Sequence, residues 1–537
     1  MQIVPQDDRF AVAGQIAPED LPAIAAAGYR SIICNRPDGE GGATQPTSHA
    51  LRAAAHTLGL QFAFLPVKPG QITPADVERF AQLLDDLPGP VLAYCRSGNR
   101  ATSLYQLARS PGAMRAPNSR GATAAAPACD WEGTTWDVVV IGGGLAGIAV
   151  TASLLRRQPN LNIAIVEPAE QHYYQPGWTL VGGGAYEAKK TCRPMASVIP
   201  AGATWVRAAA ARLEPHANRV RLDNGETLAY RDLIVTPGLR LAWERIAGLS
   251  ETLGKNGVTS NYRYDLAPYT WELVQQMKTG TALFTQPAMP IKCAGAPQKA
   301  MYLACDHWRR TGALANIEVE FDAAGAVLFG VAAFVPPLME YVKRYRAKLV
   351  FTSNLVAIDG PSRTATFETK DADGHVARVV KPFDMIHVVP PQVPPDFIGD
   401  SQLADEAGWC EVDHATLQHP RYPNVFSLGD VCSAPNAKTG AAARKQAVIV
   451  AGNLLAARAG RPLPYRYDGY GSCPLTVERG KVVLAEFGYG GKLLPTFPLD
   501  PTRARRVMWF LKATFLPSFY WWGVLKGREW FTGAKAG

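Results

Sequence analysis

Two cysteines stand in surroundings that favour reactive sulfur. Cys293 lies in the segment Pro290-Ile-Lys-Cys-Ala-Gly-Ala-Pro297, where a lysine precedes it and small residues leave its sulfur sterically open. The last proline fits the first turn of a helix predicted to reach Trp308, and a helix N-terminus and an adjacent ammonium both favour a thiolate. Cys473, among glycines, a serine and a proline, is predicted to lie in a turn rather than a packed strand. Nucleophilic or redox thiol chemistry is one interpretation, and a small buried hydrophobic residue is the other.

Cys95 occupies a third setting of this kind, a loop between the predicted strand Val91–Tyr94 and a helix. Backbone N–H groups of such a loop converge on the sulfur. Arg96, Arg100 and the helix dipole favour a thiolate and a bound anion. We therefore predict an anion-binding thiolate loop near the amino terminus.

A glycine-rich turn predicts a dinucleotide site. Residues 136–141 are typical of a buried strand, and Gly142, Gly144 and Gly147 follow with the G-x-G-x-x-G spacing at a helix start. Their missing side chains permit the tight turn, the approach of backbone to a pyrophosphate, and helix–strand contact. A second strand ends in Glu167, at the distance where a ribose hydroxyl is bound. The pattern alone fits NAD or FAD.

A second segment favours FAD. A predicted strand ends in Gly429 and Asp430, and an alanine-rich helix follows from about Thr439. The aspartate can bind the ribityl or phosphate portion of a flavin, and the helix N-terminus can stabilise negative charge on the reduced ring. Two such sites far apart are typical of flavoproteins with two dinucleotide domains. The second Rossmann-like region, placed at the strand that begins at Ile317, lacks G-x-G-x-x-G, which argues against a nicotinamide.

Composition indicates a multidomain α/β protein. The chain has 537 residues, of which 47% are hydrophobic and 19% charged. We predict an α/β domain over residues 1–108, a linker over 109–135, a tandem Rossmann-like oxidoreductase over 136–495 and a membrane-associating tail over 496–537. The nine scattered cysteines lack metal-ligand spacing, so no metal site is predicted. No secretory signal is recognisable, and the dispersed net charge of +9 favours an anionic membrane surface over nucleic acid.

The tail suits a membrane surface. Basic residues flank an aromatic-rich apolar run, residues 507–525, on both sides. Such segments lie in the headgroup region rather than across the bilayer. Pro517 is predicted to break the run into two short helices. A buried terminal hairpin or a dimer contact is the alternative.

From Trp136 onward the chain resembles the sulfide:quinone oxidoreductases of mitochondria and many bacteria. Five segments carry the resemblance: His172–Leu180, Pro290–Lys299, Gln418–Phe426, Lys438–Ala442 and Tyr467–Leu475. It implies a disulfide-reductase fold in which Cys293 and Cys473 form a redox pair. It also implies that hydrogen sulfide attacks the oxidised pair and leaves a persulfide on Cys473, while the Cys293 thiolate passes two electrons to FAD and on to a ubiquinone-type quinone.

The resemblance further implies the surroundings of this reaction. The expected FAD contacts, added to the three glycines of the first turn, are Glu167, Gln175, Ala210 through its backbone, Gly429, Asp430 and Thr439. The sulfur acceptor is expected to be a small thiol or sulfite. The expected location is peripheral, on the cytoplasmic face of the inner membrane, and a homodimer is left open. For His172 a core role and a functional role are both open.

Residues 1–108 resemble the beta-lactamase hydrolase-like family, which is related to dual-specificity phosphatases. Three segments carry this match: Ala13–Gln15, Asn35–Glu40 and the Cys95 loop. Tyrosine replaces the phosphatase histidine before the cysteine, four residues instead of five separate Cys95 from Arg100, and Pro66–Gly70 lacks a general-acid aspartate. Because the four-residue spacing resembles rhodanese loops, sulfur transfer through Cys95 ranks above phosphate hydrolysis, and an inactive domain stays open.

Two other functions are compatible with a flavin site. One is an NADH:quinone oxidoreductase of similar fold, which the missing nicotinamide loop and the cysteine pair oppose. The other is a non-catalytic flavin redox sensor or membrane scaffold, which would need the cysteines but not rapid quinone turnover.

Overall fold

The computed structural model describes residues 3–42, 45–67, 72–109, 135–371, 373–530 and 532. Residues 110–134, nearly all of the predicted linker, lie outside these ranges. The chain divides into two compact units, Met1–Pro127 and Ala128–Gly537. Each is an α/β fold, as the sequence predicts.

The amino-terminal unit is built on a five-stranded sheet. Its strands are β1 Ile3–Pro5, β2 Phe10–Ala13, β3 Ser31–Cys34, β4 Gln61–Phe64 and β5 Val91–Tyr94. Its helices are α1 Leu21–Ala26, α2 Ser48–Thr57, α3 Pro74–Asp86 and α4 Asn99–Arg109. The order is β1-β2-β5-β3-β4, and all but β1 run parallel. The carboxyl ends of four parallel strands therefore meet at one edge, and the Cys95 loop begins there.

The second unit contains two Rossmann-like sheets and smaller ribbons. Its strands are β6 Thr135–Ile141, β7 Ile163–Val166, β8 Gln171–Tyr173, β9 Cys192–Pro194, β10 Ala203–Val206, β11 Ala210–Glu214, β12 Arg219–Leu222, β13 Thr227–Val235, β14 Arg240–Leu241, β15 Val258–Thr259, β16 Gly280–Gln286, β17 Ile317–Ala323, β18 Lys348–Phe351, β19 Ser353–Asp359, β20 Thr364–Lys370, β21 Val376–Pro382, β22 Met385–His387, β23 Gln392–Val393, β24 Val425–Ser427, β25 Gly471–Glu478 and β26 Lys481–Phe487. Its helices are α5 Leu145–Arg157, α6 Trp178–Gly182, α7 Leu249–Thr252, α8 Leu266–Gln276, α9 Ala296–Thr311, α10 Val335–Tyr345, α11 Asp396–Gly399, α12 Gly440–Arg458, α13 Arg506–Phe510 and α14 Leu516–Trp522.

The first sheet has the order β10-β7-β6-β13-β12-β11, with β24 also paired to β13. Strands β10, β7, β6, β13 and β24 are parallel. The glycine turn predicted from sequence connects β6 to α5. Strand β24 brings the Gly429 segment to the same sheet.

The second sheet has the order β15-β22-β16-β17-β18, and every strand is parallel to its neighbours. The chain proceeds from β16 through α9 to β17, so β16 takes the place of the first strand of a Rossmann fold. Strand order reverses between β16 and β22, which is where such folds bind ligands. The loop that corresponds to a dinucleotide turn thus follows β16, not β17 as we expected, because β17 is the second strand. This loop, residues 287–295, contains Cys293 and also lacks G-x-G-x-x-G.

The turn predicted at Cys473 is wrong. Cys473 lies in β25, opposite Ala485 of β26. Gly471 serves close packing rather than a turn, because a Cβ atom there would lie 3.0 Å from the Cβ of Ala437. The strand was not predicted because glycine and proline beside the cysteine are more typical of turns.

The predicted break at Pro517 is also wrong. Helix α13 continues through a π-helical turn, Leu511–Phe515, directly into α14. Pro517 occupies the start of α14, where a proline costs little because the wider turn precedes it. Among the described residues, no helix is long and apolar enough to cross a membrane.

Candidate functional site

The structure brings Cys293 and Cys473 together although 180 residues separate them in the chain. Their Sγ atoms are 3.7 Å apart, which is longer than an S–S bond of about 2.05 Å but within contact. Cys473 is 2% exposed, and Cys293 is half-buried. The pair therefore lies at the carboxyl end of β16, at the switch point of the second sheet.

Backbone constraints hold the Cys293 loop in place. Cys293 has a left-handed backbone (φ +52°), and its N–H donates to the carbonyl of Lys438 at 2.8 Å. Gly295 passes so close to the other cysteine that an added Cβ would lie 2.6 Å from the Cys473 sulfur. A side chain at this glycine would wedge the two thiols apart.

A buried lysine contacts both sulfur atoms. Lys299, in the first turn of α9, places Nζ 3.0 Å from the Cys293 sulfur and 3.7 Å from the Cys473 sulfur. The sequence alone pointed to Lys292 as the thiolate-stabilising charge and gave no indication of Lys299. The Lys292 ammonium instead donates to the side-chain oxygen of Gln175 at 2.7 Å. Helical spacing from the cysteine could have identified Lys299, since the first turn of α9 faces the pair.

The two thiols are electrostatically unequal. The hydrogen bond from Cys473 and the charge of Lys299 lower the pKa of Cys293 well below its usual value, although burial opposes them. The same hydrogen bond and burial raise the pKa of Cys473. Cys293 is therefore the sulfur that carries the negative charge.

A second lysine missed from sequence comes from the carboxyl-terminal segment. Lys512 is buried and donates to the carbonyl of Pro176 at 2.8 Å. Burial, together with repulsion from Lys299, lowers the pKa of Lys512 to about 7. The tail thus contributes a buried amine, and its positive charge, when protonated, lowers the pKa of Cys293.

The glycine turn between β6 and α5 fits a dinucleotide. Gly142 has φ +100°, and a Cβ there would lie 2.4 Å from the carbonyl oxygen of Thr236. At Gly147 a Cβ would lie 1.9 Å from the oxygen of Gly142, whereas at Gly144 it would meet no described protein atom within 4 Å. The carboxylate of Glu167 accepts from the N–H of Gly143 at 2.8 Å. The helix N-terminus thus faces open space with an acid beside it, which suits a pyrophosphate and a ribose.

The remaining predicted flavin contacts fall in several places. Asp430 follows β24, and burial raises its pKa although Lys438 and Lys292 oppose this. Thr439 caps α12, because its hydroxyl accepts from the N–H of Ala442 at 3.2 Å.

Three further predicted contacts lie on separate elements. Gly429 has φ +78° and passes close to Ala146 of α5. Gln175 is exposed in a short turn before α6. Ala210 begins β11, opposite Leu222.

The second sheet offers no usual nicotinamide site. In dinucleotide folds an acid at the end of the second strand binds a ribose. The acid at that place, Asp322 of β17, accepts instead from Lys381 at 2.5 Å and from the hydroxyl of Ser353 at 2.7 Å. The acid is therefore already paired inside the protein.

In the amino-terminal unit, Cys95 is 1% exposed at the end of β5. Arg100, predicted to bind an anion there, donates to the carboxylate of Glu40 at 2.7 Å and to the carbonyl of Val67 at 2.5 Å. The same Glu40 oxygen accepts from Arg36 at 2.7 Å. An internal carboxylate thus bridges the two arginines beside the cysteine loop.

Comparison with known proteins agrees with both units. Residues 3–112 match the phosphatase-like domain of beta-lactamase hydrolase-like proteins, and residues 136–270 match the pyridine nucleotide-disulphide oxidoreductase family. The mitochondrial sulfide:quinone oxidoreductase of Dictyostelium discoideum is 44% identical over 397 residues, which is 73% of this chain and 86% of that protein. The chain belongs to the sulfide:quinone oxidoreductase family. FAD is the cofactor of this family, and the β6–α5 turn fits it.

Two further proteins are similar to one part of the chain each, the first to the oxidoreductase and the second to the amino-terminal unit. The crystal structure of the Aquifex aeolicus enzyme shares its fold, with a TM-score of 0.62 and 19% identity over 73% of this chain and 92% of that chain. A beta-lactamase hydrolase-like protein from Agrobacterium fabrum is 40% identical over 107 residues, or 20% of this chain and 25% of that protein. The amino-terminal likeness thus covers only a quarter of its relative.

His172 connects the flavin turn of the oxidoreductase to its tail. Its Nδ1 lies 3.0 Å from the oxygen of Gly143, and its Nε2 lies 2.7 Å from the hydroxyl of Tyr520. Burial lowers its pKa to about 4, so the ring is neutral at physiological pH. This geometry favours a structural bridge over a proton-transfer role.

Replacing Gly144 by alanine tests the flavin turn of this oxidoreductase. The protein itself leaves room for the methyl group, so we expect normal folding but FAD binding weakened about tenfold or more, because the backbone can no longer approach the pyrophosphate. Bound flavin per chain and thermal unfolding of the apoprotein measure the two effects. Gly325→Ala, which also adds its methyl group to open space, is the control. Undiminished flavin binding in Gly144→Ala contradicts the assignment.

Proposed function

We propose that this family member oxidises hydrogen sulfide through the Cys293/Cys473 pair and delivers the electrons to a ubiquinone-type quinone. The observation that carries the proposal is the contact between the two sulfurs, with Lys299 within 3.0 and 3.7 Å of them. In the oxidised pair, HS⁻ attacks the sulfur of Cys473. The bond between the cysteines breaks, the new sulfur stays on Cys473 as a persulfide, and Cys293 departs as a thiolate with the electron pair.

The direction of attack follows from the unequal thiols. In thiol–disulfide exchange the sulfur whose thiol has the lower pKa leaves faster. Lys299 and the hydrogen bond from Cys473 lower the pKa of Cys293, so Cys293 leaves and Cys473 receives the sulfur. FAD, when bound, supplies the two-electron acceptor between thiol oxidation and quinone reduction. A small thiol or sulfite takes the outer sulfur from Cys473 and leaves a thiolate there. The two cysteines then re-form their disulfide by giving up two electrons, for which the bound flavin would be the acceptor.

The competing NADH:quinone oxidoreductase is disfavoured by the pairing of Asp322 with Lys381 and by the Cys293 loop at the end of β16. Anaerobic addition of sulfide to the FAD-loaded protein is expected to bleach the flavin within seconds, whereas NADH leaves it oxidised. A short-chain quinone then restores the absorbance. Bleaching by NADH but not by sulfide establishes the competing activity, and bleaching by sulfide without quinone reoxidation fits the redox sensor.

We further propose that the protein is peripheral on the cytoplasmic face of the inner membrane. The tail has large apolar side chains on its surface, among them Val507, Phe510 and Trp530, which are 57%, 60% and 53% exposed. Its inner face packs on the first Rossmann-like domain, where Phe519, Tyr520 and Leu525 belong to the core. The exposed side chains suit a lipid headgroup region, from which quinone can reach the site. The oligomeric state, including a homodimer, stays open.

A single charge should disturb this membrane contact. Phe510→Asp is expected to reduce sedimentation with anionic phospholipid vesicles at least about fivefold. The substitution removes apolar area that would be buried in the lipid headgroup region, and it adds a negative charge that the anionic lipid repels. Val380→Asp, at a 61% exposed valine of β21, is the matched control and should bind as the unmodified protein does. Equal loss in both variants, or none in Phe510→Asp, argues against the tail as the contact.

For the amino-terminal domain we propose sulfur transfer through Cys95, with Arg100 beside it, in preference to phosphate ester hydrolysis. The support is the four-residue spacing and the internal pairing of Arg100 with Glu40. To test which of the two reactions the domain catalyses, the full-length protein is offered a thiol persulfide and a phosphate ester separately. Persulfide found on Cys95 supports sulfur transfer, and ester turnover without persulfide supports hydrolysis instead.

The proposed domain organisation is the amino-terminal domain over residues 1–108, the linker over 109–135, the oxidoreductase over 136–495 and the membrane-associating tail over 496–537.

A further inference from the structure

Two consecutive hydrogen bonds connect the tail to the flavin turn, and both have a fixed direction. The carbonyl of Gly143 can only accept, so Nδ1 of His172, at 3.0 Å, carries the ring proton. In the neutral ring Nε2 is then an acceptor, and the hydroxyl of Tyr520 donates to it at 2.7 Å. Both side chains are buried, so water does not readily replace either partner. The tail therefore determines which donor and acceptor His172 presents to the turn.

The bond from His172 fixes a whole peptide unit of the flavin turn. The carbonyl of Gly143 and the N–H of Gly144 belong to one trans peptide, in which they point in opposite directions. Holding the carbonyl toward His172 directs the N–H of Gly144 away from it, at the residue that caps the N-terminus of α5. N–H groups at this position bind the pyrophosphate of a dinucleotide. One histidine thus connects the tail to a donor that we expect to bind FAD.

A second part of the tail holds the helix that begins at the flavin turn. The carboxylate of Glu529 accepts from the hydroxyl of Ser153 at 2.7 Å and pairs with Arg157, and both partners lie in α5. Gly527 packs so closely on this helix that an added Cβ would lie 2.8 Å from the carbonyl carbon of Ala152. The tail therefore contacts α5 along its length and the turn at its start. Docking of the tail and the geometry of the turn favour the same conformation.

We propose that Tyr520 is a positioning residue for FAD, so that docking of the tail and binding of the flavin strengthen each other. Tyr520 acts through His172 on the peptide between Gly143 and Gly144. A coupling free energy between two sites acts equally in both directions. The factor by which the docked tail tightens FAD binding is therefore the factor by which FAD stabilises the docked tail. The tail is then part of the flavin site, whether or not it also binds a membrane.

Tyr520→Phe tests the first direction, because it removes the hydroxyl and keeps the ring. We expect FAD to leave the loaded full-length protein at least about fivefold faster, since the buried Nε2 of His172 loses its donor. The rise in flavin fluorescence after dilution measures the release. Tyr345→Phe is the matched control, because its hydroxyl donates to the carbonyl of Val477 at 2.8 Å in the second Rossmann-like domain. It should lower thermal stability and leave FAD release within about twofold of the unmodified protein.

A double-mutant comparison shows whether the effect passes through His172. The side-chain amide of His172→Asn can donate to the Gly143 carbonyl from the position of Nδ1, but it is too short to reach the hydroxyl of Tyr520. In this background Tyr520→Phe should not speed FAD release further, because the connection is already broken. The same acceleration in both backgrounds contradicts the route through His172.

Hydrogen exchange of the tail measures the reverse direction. FAD is expected to slow exchange of the α14 amides at least about fivefold more than exchange of the β20 amides, which lie in a separate three-stranded sheet. In Tyr520→Phe this difference should fall to about twofold or less. A purely structural role of Tyr520 speeds α14 exchange equally with and without FAD and leaves FAD release unchanged.

FAD release from a folded Tyr520→Phe protein at the unmodified rate, or the same acceleration in Tyr345→Phe, overturns the role of Tyr520. If Tyr520→Phe does not fold, exchange in the unmodified protein still decides the coupling. Preferential slowing of α14 by FAD supports the coupling, and equal slowing of α14 and β20 contradicts it.

Discussion

Cys473→Ser is expected to lower the rate of sulfide-dependent flavin reduction by roughly 10³-fold or more, the scale of losing a nucleophile or its covalent partner. The serine hydroxyl cannot form the bond to Cys293 that sulfide must break. FAD content should stay normal, because the contacts of the β6–α5 turn do not include this residue. Stopped-flow absorbance of the flavin under anaerobic conditions measures the rate.

Cys192→Ser is the matched control for this substitution. Cys192 is half-buried in β9, where its sulfur donates to the side-chain oxygen of Gln171 at 3.2 Å. Its replacement should leave the rate within about twofold. A Cys473→Ser protein that is still reduced rapidly by sulfide contradicts the cysteine-pair mechanism.

Lys299→Met should produce the second large effect. Methionine keeps the length of the side chain but removes the charge 3.0 Å from the Cys293 sulfur. Because an opposite charge at this distance lowers a pKa by about 1–3 units, its loss should raise the pKa of Cys293 and slow sulfide-dependent reduction about 10- to 100-fold near pH 7. The sign is testable, since the deficit should shrink as the pH rises and the thiolate returns.

Lys299→Arg, which preserves the charge, serves as the conservative control and should restore most of the rate. The measurement is the pH profile of flavin reduction from about pH 6 to 9, with bound flavin as the check on folding. A loss of rate with an unshifted profile assigns Lys299 a packing role and contradicts the electrostatic one.

Local sequence patterns were sufficient for the dinucleotide turn. Gly147 is required by its close contact with Gly142, earlier in the same turn, and such a contact leaves a fixed spacing in the chain. The helix after Cys293 was likewise predictable, since Pro297 lies in its first turn. The α/β class followed from the same alternation of apolar strands and helices.

The two lysines of the site, Lys299 and Lys512, were not predicted from sequence because long-range packing places them there. The contact of Lys299 with Cys473 forms only when β25 places that cysteine beside α9, and no local spacing encodes it. Lys292, the lysine expected from sequence, does interact electrostatically with Cys293, although its ammonium donates to Gln175. Lys512 reaches the region from the tail, for which the sequence favoured a membrane surface and left a buried hairpin or a dimer contact as the alternative.

The most direct test of the account follows the sulfur itself. FAD-loaded protein is mixed anaerobically with one equivalent of isotopically labelled sulfide, trapped with an alkylating reagent and digested for mass spectrometry. The cysteine-pair mechanism predicts one labelled sulfur on the Cys473 peptide and none on the Cys293 peptide, with Cys293 recovered as a free thiol that carries the alkylating group. Label on Cys293 instead, or flavin reduction with no label on either cysteine, would contradict it.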